Sequence, residues 1–420
     1  MSNALHRLRF LEHTRTLAAS TLTALLVACG GGGGGGSSTP EAPPSGSSVV
    51  SGRLMAPDGE TPIANALVYL EDSTAVDPVG VDVRPQAPRQ LACGTVPEST
   101  WAATCTGADG RFSLTAELPG NPRLVAIKGV FRLERGFSAS SSGTTALGNV
   151  ALEAASGARL AVVTGTYDRI QDVLAKLGYG QVNTLGMLQL GTETFALFNG
   201  DGSLPTYASF DALFADANSD GRPDLHNYDV VFLNCGLSEL SAQDPTRIAA
   251  LRAYVEAGGR LYVSDLAYDY VEQVFPQYID FEGGGGTAAH MPEPLGAAEV
   301  GRSGITVNAS LDPALSAWLA SVTCADGACL NSDGTAHIEG FLSGWAVMHG
   351  AHPDQSANVR VWAQGPVSFS GQTSPVQRPL TVSFPHGQGR VTYTSYHTEP
   401  GFGTGLQPQE RILQYLVFEL

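Results

Sequence analysis

The chain has 420 residues, 43% of them hydrophobic, and carries a formal net charge of −17. That length and apolar content suffice for two cores. The acidity argues against nucleic acid as a partner, which needs clustered Lys and Arg, and against adhesion to anionic lipid by charge.

At the N-terminus His6, Arg7, Arg9 and Arg15 make a basic leader, and Leu17 to Ala28 follows as an apolar run of small and aliphatic residues. The run is shorter than the roughly 20 residues a spanning helix needs and fits the apolar region of a signal peptide. It ends Leu26-Val27-Ala28-Cys29-Gly30. This resembles the lipobox of bacterial lipoproteins, where the cysteine becomes the lipidated first residue of the mature chain. The resemblance implies a signal peptide over residues 1–28 and lipidation, palmitate included, at Cys29. Gly30, where an Asp would mark inner-membrane retention, favours the outer membrane. Residues 29–48 continue as an unbroken glycine run and a Ser/Pro-rich stretch. Such a composition cannot bury a core and acts as a flexible tether. The expected location is the cell envelope, with the membrane reached through the lipid anchor and the face of the outer membrane left open.

Residues 49–152 alternate short β-rich runs with turn signals. Val49 to Leu54, Ala66 to Leu70, Arg111 to Leu114 and Leu124 to Ile127 are the expected strands. Strands at this spacing, with no helical period between them, predict a small β-sandwich. Ser51-Gly52-Arg53-Leu54, Pro62-Ile63-Ala64-Asn65-Ala66-Leu67-Val68-Tyr69-Leu70 and Ala108-Asp109-Gly110-Arg111-Phe112-Ser113-Leu114 resemble the carboxypeptidase regulatory-like domain. That family is a transthyretin-like sandwich, commonly a spacer or binding module, and the resemblance implies no catalysis. The insertion carrying Cys93 and Cys105 departs from its simplest form.

Residues 158–420 change character. Leu160 to Val163 is a short apolar strand; Asp168 can cap a helix whose Ile170, Val173, Leu174 and Leu177 share one face; Gly178 follows as its stop. Asp229 to Asn234 is a buried strand. Asp244 caps a second helix with Pro245 at its first position, Gly258-Gly259 ends it, and Leu261 to Ser264 is the next strand. Strand, helix, strand in this order predicts a parallel sheet with crossover helices. The stretch 282–358, poor in pattern and rich in glycine, is expected to form long loops over one face. Arg390 to His397 is a last strand, followed by a helix from about Pro408 with Ile412, Leu413 and Leu416 inward. This order, with phrases such as Tyr228 to Asn234, Gly258 to Val263 and Gly389-Arg390-Val391, resembles the class I glutamine amidotransferase-like fold, including its trehalose-utilisation type. The implied architecture is a flavodoxin-like α/β three-layer sandwich with a mostly parallel sheet, so the whole chain is expected to be multidomain.

Chemistry is only partly written into that domain. The family carries a nucleophilic Cys on a strand-to-helix turn, inside Gly-x-Cys-x-Gly, and a late His-x-Glu. Here the turn reads Val263-Ser264-Asp265-Leu266-Ala267, with no Cys and no glycine pair, while His397-Thr398-Glu399 matches the second motif. Cys235 follows a different strand, yet strand C-terminal ends gather at one crevice. The catalytic candidates are therefore His397, Glu399, Asp265 (or Ser264) and Cys235, with the nucleophile missing. Two readings stay open: an interaction lipoprotein whose α/β domain binds an envelope protein or glycan, and an envelope hydrolase with a modified triad.

Of the remaining cysteines, Cys93 with Cys105 and Cys324 with Cys329 are local pairs that read as disulfides in an oxidising compartment, though other pairings are open; Cys235 is left free. His349, His352 and His386 suggest a metal, and His349 and His352 have a short ligand spacing, but no carboxylate-rich pattern stands beside them, which weakens a zinc reading. A calcium loop is expected where Asp216, Asn218, Asp220, Arg222 (by its carbonyl), Asp224 and Asn227 fall at ligand positions, with Gly221 at the sharp turn. Asn227 stands where the bidentate Glu of an EF-hand would be.

Overall fold

In the segment Arg111–Ala116 the side chains of Phe112, Leu114 and Ala116 are buried and those between them exposed. This is the period of two of a strand with one face on a core. The structure, a computed structural model, describes residues 46–420 except 75–88, 119, 141, 156, 238–241, 284–290, 342–343, 373 and 399–402. Cys29, the leader, almost all of the tether and Glu399 lie outside the described residues.

The first part contains β1 (Ser48–Met55), β2 (Leu67–Asp72), β3 (Ala102–Cys105), β4 (Arg111–Ala116), β5 (Pro122–Lys128), β6 (Phe131–Gly136) and β7 (Gly143–Ala151). They form two sheets, ordered β4-β1-β7 and β3-β2-β5-β6. Val50, Leu54 and Leu114 from the first sheet share a core with Val68, Leu70, Leu124 and Ala126 from the second, so the expected small sandwich is present. Cys93 is bonded to Cys105 at the end of β3, and Cys324 to Cys329; Cys235 is free and buried.

The second part contains β8 (Leu160–Val163), α1 (Ile170–Leu174), β9 (Ala196–Phe198), β10 (Val230–Leu233), α2 (Pro245–Glu256), β11 (Arg260–Ser264), α3 (Asp269–Glu272), β12 (Val307–Leu311), α4 (Pro313–Leu319), β13 (Ala336–Ile338), β14 (Arg360–Val367), β15 (Val376–His386), β16 (Gly389–Thr394) and α5 (Pro408–Glu419). One sheet runs β9-β8-β10-β11-β16-β15-β14-β12-β13. The pairings from β9 to β16 are parallel, and those from β16 to β13 are antiparallel. The sheet is therefore mixed, and the expectation of a mostly parallel one describes only the half that carries the crevice. The stretch 282–358 also departs from its reading as loops: it supplies β12, α4 and β13. Its glycines and short runs hid two strands that are stabilised by pairing, β12 with β14 and β13 with β12, rather than by local pattern.

Local capping follows the sequence at α2, where Asp244 Oδ1 accepts from Thr246 N at 2.9 Å and Pro245 takes the first turn. It fails at α1, whose cap residue is Arg169 with no side-chain bond. Asp168 is used elsewhere, as described below. Helix α5 begins with a capping box between Gln407 and Glu410. Glu410 also holds Lys176 at 2.7 Å, with both side chains almost fully buried.

The two parts are joined by a shared core. Phe131 and Phe418 meet across the seam, Trp318 Nε1 donates to Pro62 O at 2.8 Å, and Lys128 Nζ lies 2.6 Å from Glu419 Oε1. Pro43–Leu420 accordingly forms one compact unit. Among the described residues no helix is long and apolar enough to cross a membrane.

Candidate functional site

The parallel strands β8, β10, β11 and β16 are adjacent, so the residues just past their C-terminal ends meet in space. Past β11 the chain must turn at once, and Asp265 does so with φ +40°. Non-glycine residues seldom adopt this left-handed backbone, which costs about 1–3 kcal/mol and persists only where the surroundings hold it. They do so here. Asp265 Oδ1 accepts from Ala346 N at 2.7 Å, and its carbonyl oxygen accepts from Tyr393 OH at 3.0 Å.

Three candidate side chains converge. His397, past β16, brings Nε2 to 2.8 Å from Asp265 Oδ2, although the ring nitrogen is not aligned for a hydrogen bond. Cys235, past β10, places Sγ 3.6 Å from the same oxygen. Cys235 N donates to Ser264 Oγ at 2.9 Å, so Ser264 is tied down as a positioning group. The ring of His397 is fixed by Gly340: Nδ1 lies 2.9 Å from Gly340 O, and His397 N donates to the same carbonyl at 3.0 Å. Gly340 has φ +80°, and a Cβ there would come within 2.6 Å of His397 O, so this approach requires glycine.

A polar floor continues on the α1 side. Asp168 Oδ1 accepts from Thr398 N at 2.9 Å and from Thr398 Oγ1. Asn234 Nδ2 donates to Gln171 Oε1 at 2.9 Å. Cys235, Asp265 and Asn234 are fully buried and His397 and Asp168 are 1% exposed.

Burial governs the electrostatics. It pushes the Asp265 carboxyl up, and His397 draws it partly back. Burial works against the charged ring of His397, but Asp265 overcomes it and raises the group to about 9. Asp265 and His397 thus offset one another's charge, because a lone charge of either sign is costly in so dry a place. The Cys235 thiol is pushed far up, first by burial and then by the Asp265 charge. It is therefore a protonated thiol, unlike the depressed, partly exposed thiols that act as nucleophiles.

The structure thus unites His397, Asp265 and Cys235. Cavities among the described residues are lined by other side chains, including one of about 730 Å³ lined by Arg53, Thr104, Arg111 and Asn149 in the sandwich, one of about 360 Å³ lined by Arg53, Lys176, Thr323 and Arg411 at the seam, and one of about 180 Å³ lined by Thr164, Arg169, Asp172 and Leu188. Sequence reasoning missed Gly340, Ala346, Asp168 and Thr398. The first two sit in the stretch expected to be loops, and nothing local marks their role.

The remaining candidates stand apart. In the loop Asp216 to Asn227, Asp216 Oδ1 and Oδ2 accept from Asp220 N and Gly221 N at 3.0 Å. Asn218 Nδ2 reaches Asp220 Oδ2 at 3.1 Å and Asn227 Oδ1 at 3.4 Å, and Asn227 Nδ2 reaches Asp224 Oδ1 at 3.2 Å. His349 is engaged by Glu299 at 3.0 Å and His386 by Glu256 at 3.3 Å. A buried carboxyl appears beyond the elbow: Glu272 is pushed up to about 8, chiefly by burial.

No protein-family model matches the chain, and no curated protein matches it. Solved structures do. A 5-hydroxyisourate hydrolase from Klebsiella pneumoniae is 21% identical over 25% of this chain and 90% of its own, with a TM-score of 0.17. The major pilin subunit BcpA of Bacillus cereus is 9% identical over 26% of this chain and 30% of its own, TM-score 0.17. A ThuA-like protein from Parabacteroides merdae is 13% identical over 62% of this chain and 88% of its own, TM-score 0.32. Likenesses this distant carry no argument about fold or activity.

Proposed function

We propose that the chain is a cell-envelope lipoprotein whose amidotransferase-like body serves binding or structure and does not hydrolyse. The observation that carries this reading is the burial of Asp265 at the elbow, where the family has its thiol, against a fully buried Cys235 and a His397 that is 1% exposed. A general base must reach substrate, and a nucleophile must ionise; neither condition is met by a sealed histidine and a protonated thiol. The body then offers its surface to an envelope protein or glycan, the membrane being reached through Cys29. A structural calcium loop is part of this reading on the sequence spacing alone, which puts Asp216, Asn218, Asp220, Asp224 and Asn227 at ligand positions with the Arg222 carbonyl completing it.

The deciding assay uses the purified protein with glutamine and with generic ester and amide substrates. No turnover is expected. Hydrolysis that disappears in His397→Ala would establish the second reading, an envelope hydrolase using His397 and Glu399, which the 2.8 Å approach of His397 to Asp265 favours. Incorporation of labelled fatty acid by the wild type, and its loss in Cys29→Ser, tests the anchor.

A further inference from the structure

Within the described residues one group of three ligand-bearing side chains has its ligand atoms within 4.8 Å of one another, and all three residues are buried: Cys235, Asp265 and His397. We propose that Cys235 Sγ, Asp265 Oδ2 and His397 Nε2 bind a borderline-soft divalent cation of the zinc class, which ties the ends of β10, β11 and β16 together. The proposal rests on the reading of this crevice as sealed and gives that crevice an occupant.

The ligand atoms are those the surroundings leave over. The Gly340 carbonyl can only accept, so His397 Nδ1 carries a hydrogen toward it at 2.9 Å. In the neutral ring the lone pair then sits on Nε2, an atom with no hydrogen-bond partner. A ring N–H donated to a backbone carbonyl is how metal-binding histidines are commonly held. Asp265 is treated likewise: Ala346 N takes Oδ1, and Oδ2 faces the sulfur and the imidazole. Serine Oγ at position 264 fixes the backbone N–H of Cys235, leaving the thiol to point at Asp265.

Distances and charge agree. Zn–S of about 2.3 Å and Zn–O of about 2.1 Å in a tetrahedron separate sulfur and oxygen by about 3.6 Å, and the Cys235–Asp265 distance is 3.6 Å. The His397–Asp265 contact of 2.8 Å would open by about half an ångström, a small rotation of the ring. Binding requires the thiolate of Cys235, the carboxylate of Asp265 and the imidazole of His397 unprotonated at Nε2, so the thiol proton is released. A dication, a thiolate, a carboxylate and a neutral imidazole then sum to zero charge, which is what a dry site requires. Thiolate and imidazole select zinc or cobalt over calcium or magnesium, so this site is chemically distinct from the loop at Asp216.

The test is expression of the full chain in zinc-supplemented and in cobalt-supplemented medium, so that the buried site fills as the chain folds. The expected result is close to one equivalent of zinc, and in the cobalt form a near-ultraviolet thiolate-to-cobalt band with tetrahedral visible absorption. Cys235→Ser should abolish the thiolate band and lower zinc content at least tenfold. His397→Gln should lower the content similarly with far-ultraviolet circular dichroism unchanged. Folded wild type that carries neither metal, or a cobalt spectrum that Cys235→Ser leaves intact, overturns the proposal. Binding is read without substrate. Metal-dependent hydrolysis would therefore sink the non-catalytic reading while leaving the site standing, and an inactive metal-free protein would do the reverse.

Discussion

The ring of Phe131, in the sandwich, lies 4.9 Å from the ring of Phe418, in α5, with the planes 62° apart. Both rings are buried, and Lys128–Glu419 closes the same seam at 2.6 Å. Edge-to-face aromatics add about 0.5–1.5 kcal/mol beyond the area they bury. Phe418→Ala is expected to destabilise the protein by about 3–5 kcal/mol. Because the core is shared, sandwich and α/β part should unfold in one transition in wild type. Urea unfolding followed by far-ultraviolet dichroism and by tryptophan fluorescence checks this, and two separated midpoints in wild type would contradict it.

Asp265→Ala should be costly. It leaves His397 buried without its counter-charge and Ala346 N without its acceptor. Removing one member of a buried pair costs about 3–5 kcal/mol. Asp265→Asn keeps the Oδ1 acceptor and should cost less. Chemical denaturation of both variants side by side reads the difference.

Glu272 sets a pH dependence. Its carboxyl is held up to about 8 in the fold, against an ordinary value of 4.5. Between these values the folded chain holds a proton that the unfolded chain has lost. This share of stability is therefore complete below about 4.5 and is lost as pH rises through about 8. Glu293, raised to about 7 by burial and then by the charges of Glu282 and Asp280, acts in the same direction. Glu272→Gln is expected to flatten the decline, gaining on wild type at the alkaline end. Melting temperatures measured across this range supply the test; parallel curves for the two proteins would refute it.

The disulfides predict a pattern of labelling. Cys93–Cys105 and Cys324–Cys329 are bonded, and Cys235 is a free thiol with no exposure. Without prior reduction, a thiol reagent should miss Cys235 in the native protein and modify it once the chain is unfolded. The Cys93→Ser, Cys105→Ser pair of substitutions should cost about 2–3 kcal/mol by the loop-closure argument.

Calcium should raise the melting temperature and chelator should lower it, with Asp220→Ala insensitive to both. A wild type indifferent to calcium, with no calorimetric binding, removes the loop from consideration.

Much of the frame was legible because its signals are local. Val230–Leu233 is an unbroken apolar strand buried on both faces, and Asp244 with Pro245 marks a helix start by side-chain chemistry alone. The antiparallel half of the sheet was not. Gly365, Pro366 and Pro379 interrupt β14 and β15, and those strands are secured by each other rather than by pattern. The same contrast holds at the crevice. Cys235, Asp265 and His397 could be named because strand ends converge. The partners that orient them, Gly340 and Ala346, stand 57 residues from His397 and 81 from Asp265, a separation no periodicity spans. At the turn itself the sequence already reads Asp265 and no cysteine.

The seam also dictates an order of events. Lys128 and Glu419 are 291 positions apart, and a Cβ on Gly129 would run into Leu420 O at 2.1 Å, so α5 lies directly on the β5–β6 turn. In vectorial synthesis the sandwich emerges early but cannot cover this edge until the last helix arrives. A pairing so distant in sequence must meet a large loop-closure cost before it contributes, so this edge of the sandwich is among the last surfaces to be covered.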